Sequence, residues 1–355
     1  MAASTHIPTI VLGGTGYVAG ELLRLLAGHP HFEVAGILSD SKPGEPVAGA
    51  FPHLASAYPH RRFDSESAIE ARLAEKPDCA VLSAAPHGAA APLLDRLLAA
   101  AERAGRQPRV VDISADFRYR SAEAYEAVYR HPHGAAHRLG QFTCALPEHL
   151  ESLATRHVAH PGCFASAILY ASVPLLKLAL AQPRLFVCGI TGSTGSGRKP
   201  VEGTHHPLRH SDVYAYSALA HRHVPEVAAC ALAASGVEAE WNFVPSSGPF
   251  ARGIHVTVQG TLERAVDSAY VIGALREFYA HAPFIRVTDA APRIKNVVAS
   301  NYAHLSAAAN GRTVAVLCVL DNLTKGAAGG ALQWLNRMYS LPETAGLDLP
   351  APGWT

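Results

Sequence analysis

The sequence predicts an α/β chain in two parts: a doubly wound N-terminal unit on a parallel sheet, then an α+β unit with a mixed sheet. Three observations lead to this reading. From Thr9 to Ile113 short apolar runs alternate with helical patterns, as successive βαβ units require. A glycine turn, Gly13-Gly14-Thr15-Gly16, joins the first apolar run directly to the first helical pattern. Beyond about residue 160 the texture changes, and Ile254 to Val258 alternates in polarity like a half-exposed antiparallel strand. At 355 residues the chain exceeds one average domain. The expected division is 1–162 with 323–355 for the first unit and 163–322 for the second.

The elements follow in order. Thr9 to Leu12 is β-branched and apolar, a strand. Tyr17 to Ala27 carries Leu22, Leu23, Leu25 and Leu26, compatible with a buried helix face. Phe32 to Leu38, Asp78 to Ala85 and Arg109 to Ile113 read as strands, and Pro92 to Ala104 as a helix. In the second part Phe186 to Ile190, Glu240 to Val244, Ile254 to Val258 and Thr313 to Leu320 read as strands. Gly192 to Pro207 reads as a long loop, and Ala327 to Met338 as a last helix after the Lys325-Gly326 turn. The Pro-rich tail from Leu341 is expected on the surface.

Composition narrows the function. Lys+Arg 30 against Asp+Glu 29 leaves a formal charge of +1, so no single-sign field pulls on nucleic acid or an anionic membrane. No run of 18 apolar residues offers a transmembrane helix. The first residues lack a basic n-region, which argues against a signal peptide. Six cysteines form no CxxC pair and read as cytosolic thiols. Those in apolar strands, Cys79, Cys188 and Cys318, are expected to be buried and inert.

Three segments carry chemistry. Gly13, Gly16 and Ala19 form a GxxGxxA pattern between strand and helix, where Thr15, Gly16, Tyr17 and Val18 would present backbone N–H groups to a pyrophosphate. A ribose contact belongs at the end of the second strand: Asp40 there favours NAD, whereas Ser39, Ser41 and Lys42 favour NADP. Cys163 follows Pro161-Gly162 at the start of an apolar helical run, and a helix N-terminus makes a thiolate available. His221, His223 and Glu226 lie within six residues and offer a base, with Glu226 on the His223 face if the segment is helical. The HxH spacing finds no further metal ligands nearby, so no metal is expected. Gly192 to Lys199, including Gly195 and Arg198, reads as a backbone nest for a phosphate. Arg118, after Ser114-Ala115-Asp116-Phe117, could clamp a phosphate or carboxylate or pair with Asp116.

Together these residues resemble the N-acetyl-γ-glutamyl-phosphate reductase family, within the aspartate-semialdehyde dehydrogenase superfamily. The resemblance spans nearly the whole chain. It rests on GGTGYVAGELLRLLAGHP (13–30), APHG (85–88), VDISADFR (111–118), ALPE (145–148), HPGC (160–163), GSTGSGRK (192–199), AHRHVPEV (220–227), FARGI (250–254) and DNLTKGAAGGALQ (321–333). It implies a Rossmann-type first domain, a substrate and dimerisation domain, and a helix returning to the first. It also implies a small acyl-phosphate substrate, NADP as cofactor, a homodimer or homotetramer, a cytoplasmic place and a role in arginine biosynthesis. Cys163 matches the catalytic cysteine, and His223 its acid/base partner. Pro86, His87, Gly88 and Asn322 match residues near the nicotinamide, and Arg118 and Arg198 match phosphate or carboxylate contacts, with Gly192 beside them. Asp40 stands where the family more often has Arg or Ser, which leaves NAD open. The same scaffold serves N-succinyl or carrier-linked α-aminoadipyl substrates. A non-catalytic NAD(P) sensor would need no pairing of Cys163 with His223.

Overall fold

The computed structural model describes residues 6–353 and divides into two compact units. The first holds the described residues up to Ala145, Ser152–His160 and Ala328–Asp348. The second holds Leu146–Glu151, Pro161–Ala327 and the described residues from Leu349. Residues 1–5, on which the signal-peptide expectation partly falls, lie outside the described residues, as do 354 and 355.

The first unit runs β1 (Ile7–Leu12), α1 (Tyr17–Leu26), β2 (Phe32–Ile37), α2 (Val47–Ala50), α3 (Glu66–Glu75), β3 (Ala80–Ser83), α4 (Ala90–Arg103), β4 (Arg109–Asp112), α5 (Ala122–Tyr129), β5 (Phe142–Cys144) and β6 (His157–Ala159). Its six strands are all parallel, in the order β2-β1-β3-β4-β6-β5. The order reverses between β1 and β3, the doubly wound arrangement whose ligands lie at strand carboxyl ends. Ile10, Leu12, Val81 and Val110 pack against Ile69 and Leu73 of α3 and Leu93, Leu94, Leu97 and Leu98 of α4.

The second unit runs α6 (Cys163–Lys177), β7 (Arg184–Thr191), α7 (His206–Arg209), β8 (Tyr214–Ala215), α8 (Val224–Ser235), β9 (Glu240–Ser247), β10 (Ile254–Thr261), α9 (Ser268–Phe278), β11 (Ile285–Val287), β12 (Ala303–Asn310) and β13 (Thr313–Leu320). Its mixed sheet has the order β11-β12-β13-β10-β7-β9-β8. α6 is apolar all round and buried from Phe164 to Leu176, so it forms the centre of this unit's core. One face of the sheet packs on it. On the other face β7 leaves Arg184, Phe186, Cys188 and Ile190 exposed. Cys188 is thus not the buried thiol expected, because strand alternation turns it away from α6. Cys79 and Cys318 are buried, and burial pushes the Cys79 thiol up to about 12.

The chain then returns to the first unit as α10 (Gly329–Met338), which packs on α1, β3 and β4 opposite α4. The tail lies at the surface and is tied down there. Asn336 Nδ2 donates to the carbonyls of Glu343 (3.1 Å) and Ala345 (2.9 Å), and Leu347 is buried. Segment 146–151 belongs to the second unit because Glu148 is fully buried there, 2.6 Å from Lys325 Nζ, and accepts Tyr170 OH at 2.7 Å.

Burial also sets an acid limit. It pulls His29, His149, His157 and His221 each down to about 4. Between about 4 and 6.5 the unfolded chain therefore binds more protons than the native one, so stability is full above 6.5 and falls as pH drops through that window. Thermal unfolding in a buffer series should show Tm falling steeply from pH 6.5 to 4; a flat Tm would contradict these burials.

Candidate active site

The glycine turn is built as a dinucleotide turn requires. Gly13 takes φ +75, and a Cβ there would overlap the Ala84 carbonyl at the end of β3. A Cβ on Gly14 would stand 2.7 Å from the Leu38 oxygen, to which Gly14 N–H donates. Gly16 opens α1 without a side-chain cap, and no acidic residue occupies the first turn. The N–H groups of Tyr17, Val18 and Ala19 precede the first intrahelical bond, Gly20 N–H to Gly16 O, and Thr15 is half-buried beside them. These residues fit a pyrophosphate on backbone donors. One residue past Ala19, a Cβ on Gly20 would lie 2.7 Å from the Phe51 ring.

Around this turn, Ser39 is buried and its Oγ accepts Lys42 N–H (3.2 Å), while Asp40 and Ser41 are exposed. Gly88 has φ +81 and, with Ala91, donates its N–H to the Asp116 carboxylate (2.8 and 2.9 Å), so Asp116 caps α4. His87, beside the exposed Pro86, accepts Ala115 N–H at Nδ1 (2.9 Å), which puts the ring proton on Nε2. Arg118 is buried and directs Nε to His160 O (2.9 Å) and Nη2 to Ile113 O (2.7 Å), bracing the chain after β4 and β6.

In the second unit Cys163 is the first residue of α6, after Gly162 in extended conformation. The first intrahelical bond is Ser166 N–H to Gly162 O (2.8 Å), so the N–H groups of Cys163, Phe164 and Ala165 lie where no i−4 carbonyl exists. Glu226 is buried and takes Gly162 N–H on Oε1 at 2.6 Å. The sequence suggested Glu226 as an orienter of His223; its bond to Gly162 was not foreseen. His223 caps α8 and is buried. The His221 and His223 rings are 4.7 Å apart, and His221 Nδ1 accepts His223 N–H (3.2 Å). Burial, then the Arg222 charge, holds His221 neutral down to about 4. Phe164, Tyr216 and Phe243 surround His221 at ring distances of 6.0, 5.7 and 5.3 Å.

The Gly192–Lys199 segment is not an open nest. Gly192 N–H donates to Gly253 O, Ser193 to Phe250 O, Thr194 to Ala251 O, Gly195 to Gly192 O and Gly197 to Thr194 O, all between 2.9 and 3.2 Å. Three of these donors are satisfied by the 250–253 loop and two within the segment itself, so none of the five remains for a phosphate. Arg198 is exposed. Asn322 is likewise buried: Oδ1 accepts Gly253 N–H (2.7 Å) and Nδ2 donates to Thr194 Oγ1 (3.0 Å), so it ties two loops together.

The sequence quoted the motifs around Arg252 and Asp321 without giving these residues a role. Arg252 forks onto buried Asp321 (3.0 and 3.1 Å), which also accepts N–H from Ala299, Leu323 and Thr324. The carboxylate shapes the loop into a single π-turn, Thr324–Ala328, that carries Gly326 against Cys163. A Cβ on Gly326 would lie 2.7 Å from Cys163 Cβ and 3.1 Å from its Cα. Gly326→Ala should therefore displace Cys163 and cut kcat by about 10²-fold, since an error near 1 Å at the reacting atom has that effect. Steady-state kinetics beside circular dichroism would test it: unchanged kcat would show that the loop yields instead. A charged residue just after the apolar run Thr313–Leu320 was the available signal for Asp321.

Comparisons with known proteins agree with this layout. The semialdehyde dehydrogenase NAD-binding domain matches residues 9–150, and the semialdehyde dehydrogenase dimerisation domain matches residues 163–322. The N-acetyl-gamma-glutamyl-phosphate reductase of Nitrosococcus oceani is 37% identical over 348 residues, covering 96% of this chain and 98% of that protein. That of Azotobacter vinelandii is 38% identical, covering 95% and 96%. Among solved structures, aspartate semialdehyde dehydrogenase II of Vibrio cholerae superposes with TM-score 0.68 at 15% identity, over 95% of this chain and 99% of that one, which speaks for the fold. With a nicotinamide-dinucleotide turn in one unit, a cysteine opening a buried helix in the other and relatives of this identity along its length, the chain belongs to the N-acetyl-γ-glutamyl-phosphate reductase family.

Proposed function

We propose that the chain reduces N-acetyl-γ-glutamyl phosphate to the semialdehyde with release of phosphate, using NADPH, as a cytoplasmic step of arginine biosynthesis. The observation that carries this is Cys163 at the uncapped start of a buried helix whose entry is pinned by Glu226. The Cys163 thiolate attacks the acyl carbon; the C–S bond forms as the C–O bond to phosphate breaks, and phosphate leaves with the electron pair. When bound, reduced nicotinamide supplies the hydride that takes the thioester to the thiohemiacetal level. The first-turn N–H groups of α6 stabilise the oxyanion. His223 gives that oxygen a proton, then takes it back as the C–S bond breaks and the thiolate returns. His221, neutral at working pH, accepts the His223 N–H and holds the turn.

For the cofactor, we take NADP as preferred and NAD as accepted. Ser39, Ser41 and Lys42 flank exposed Asp40, whose charge opposes a 2′-phosphate. For the oligomer, we propose that a second copy covers the open face of the mixed sheet. Phe186 is 49% exposed there beside Ile190 and Cys188, and a soluble chain rarely leaves such a patch bare. Phe186→Glu should yield monomers in sedimentation where the wild type gives dimers or tetramers. No helix among the described residues is long and apolar enough to cross a membrane.

The test of the reaction is reduction of NADP⁺, and separately NAD⁺, by the purified chain with N-acetylglutamate semialdehyde and phosphate. Turnover that depends on phosphate supports the reading. Turnover without phosphate, or none from a folded chain, sinks it, and the ratio of the two cofactors decides what Asp40 does.

A further inference from the structure

We propose that Arg209 takes an oxyanion of the substrate through the side-on fork of its guanidinium; this rests on the reaction proposed above. Arg209 ends α7 and is only 7% exposed. Its Nη1 donates to Asp212 O at 2.9 Å. Its Nε and Nη2 are covered and meet no hydrogen-bond partner among the described residues. Those two atoms form one edge of the guanidinium, whose parallel N–H bonds match two oxygens of a carboxylate or a phosphoryl group. Burying such a donor pair unmet is strongly unfavourable, so its retention points to a ligand that completes it.

The position suits the reaction. The Arg209 guanidinium lies 5.9 Å from the centre of the Tyr214 ring. Tyr214 pairs with Ser247, and Tyr216 N–H donates to Pro245 O, so strand alternation puts both tyrosines on one face. That face of β9 carries Phe243, which packs on Phe164 and His221. Burial, then the Cys163 charge, pushes the Tyr216 hydroxyl up to about 12, so Tyr216 lies within electrostatic reach of Cys163. The Arg209 guanidinium, at 5.9 Å, and Tyr216, two residues or about 7 Å along the strand, thus both neighbour Tyr214. In the proposed substrate four bonds of about 1.5 Å separate the acyl carbon from the α-carboxylate carbon, and the phosphoryl group sits on the acyl carbon itself. Either oxyanion therefore meets the guanidinium only if Arg209 moves toward Tyr216. Because Nε and Nη2 face inward, binding requires the 198–213 segment to yield. That segment is held by single turns, Glu202–Thr204 and His206–Arg209.

Two readouts on wild type, Arg209→Gln and Arg209→Lys test this. In thermal shift, N-acetylglutamate or inorganic phosphate should stabilise the wild type and not Arg209→Gln. Without ligand, Arg209→Gln should melt no lower than wild type, having lost an unmet buried charge. In the reverse assay, the KM of the matching substrate, semialdehyde for a carboxylate contact or phosphate for a phosphoryl contact, should rise about 10²-fold in Arg209→Gln. Arg209→Lys should fall between. The probe that responds names the oxyanion. Equal response of wild type and Arg209→Gln to both probes, including no response, overturns the proposal. So does a lower ligand-free Tm in Arg209→Gln with both KM values unchanged. A wild type that never turns over the semialdehyde sinks the reaction instead, and the thermal arm still judges Arg209.

Discussion

Cys163→Ser is expected to lower phosphate-dependent NADP⁺ reduction by at least ~10⁴-fold with the fold intact. A serine hydroxyl carries no anion at neutral pH, and an oxygen ester accepts hydride less readily than a thioester. The smaller Oγ also fits against Gly326, where a larger group would not. The chain carries its own control. Cys188 lies on the sheet face that a second copy is proposed to cover, so iodoacetamide should label Cys163 in the assembled protein and reach Cys188 as well in Phe186→Glu, and only the first modification should track loss of activity. Peptide mapping during inactivation separates them. Activity surviving full modification of Cys163 would end the thioester mechanism.

His223→Asn is expected to lower kcat by ~10²- to 10⁴-fold, the usual worth of a positioned acid/base group. His221→Asn should keep most of it. The Asn side-chain oxygen replaces Nδ1 as acceptor of the His223 N–H, a bond of 3.2 Å in the native chain. Since burial holds His221 near 4, it is neutral above that pH and delivers no proton near pH 7. The acid limb of the pH profile should therefore survive His221→Asn unmoved and change in His223→Asn. If the two variants exchanged these behaviours, the assignment of the proton carrier would be reversed.

Much of the first unit was legible because its signals are local. A β-branched run, a glycine turn and a helix with one apolar face occupy neighbouring residues, and β1, α1 and β2 begin and end close to where the sequence places them. In the second unit β12 gave no warning. Ala303–Asn310 is mostly small residues, and only its pairing with β13 makes it a strand. The Gly192–Lys199 segment misled for a related reason. Its glycines do mark a turn with close approach, as a Cβ on Gly192 would overlap the Ala251 carbonyl, but the approaching group is the 250–253 loop and not a phosphate.

The sequence by itself determined the fold class, the dinucleotide turn and the cysteine at a helix start, since each is written within a few residues of one strand end or helix start. Only the tertiary structure decided what the surrounding polar residues do. Gly162 meets Glu226, Asn322 meets Thr194 and Gly253, Lys325 meets Glu148, and Arg118 turns to the His160 carbonyl. A polar side chain taken out of water must find a partner, and which one it finds depends on what the fold brings beside it from far along the chain, information that no local pattern carries.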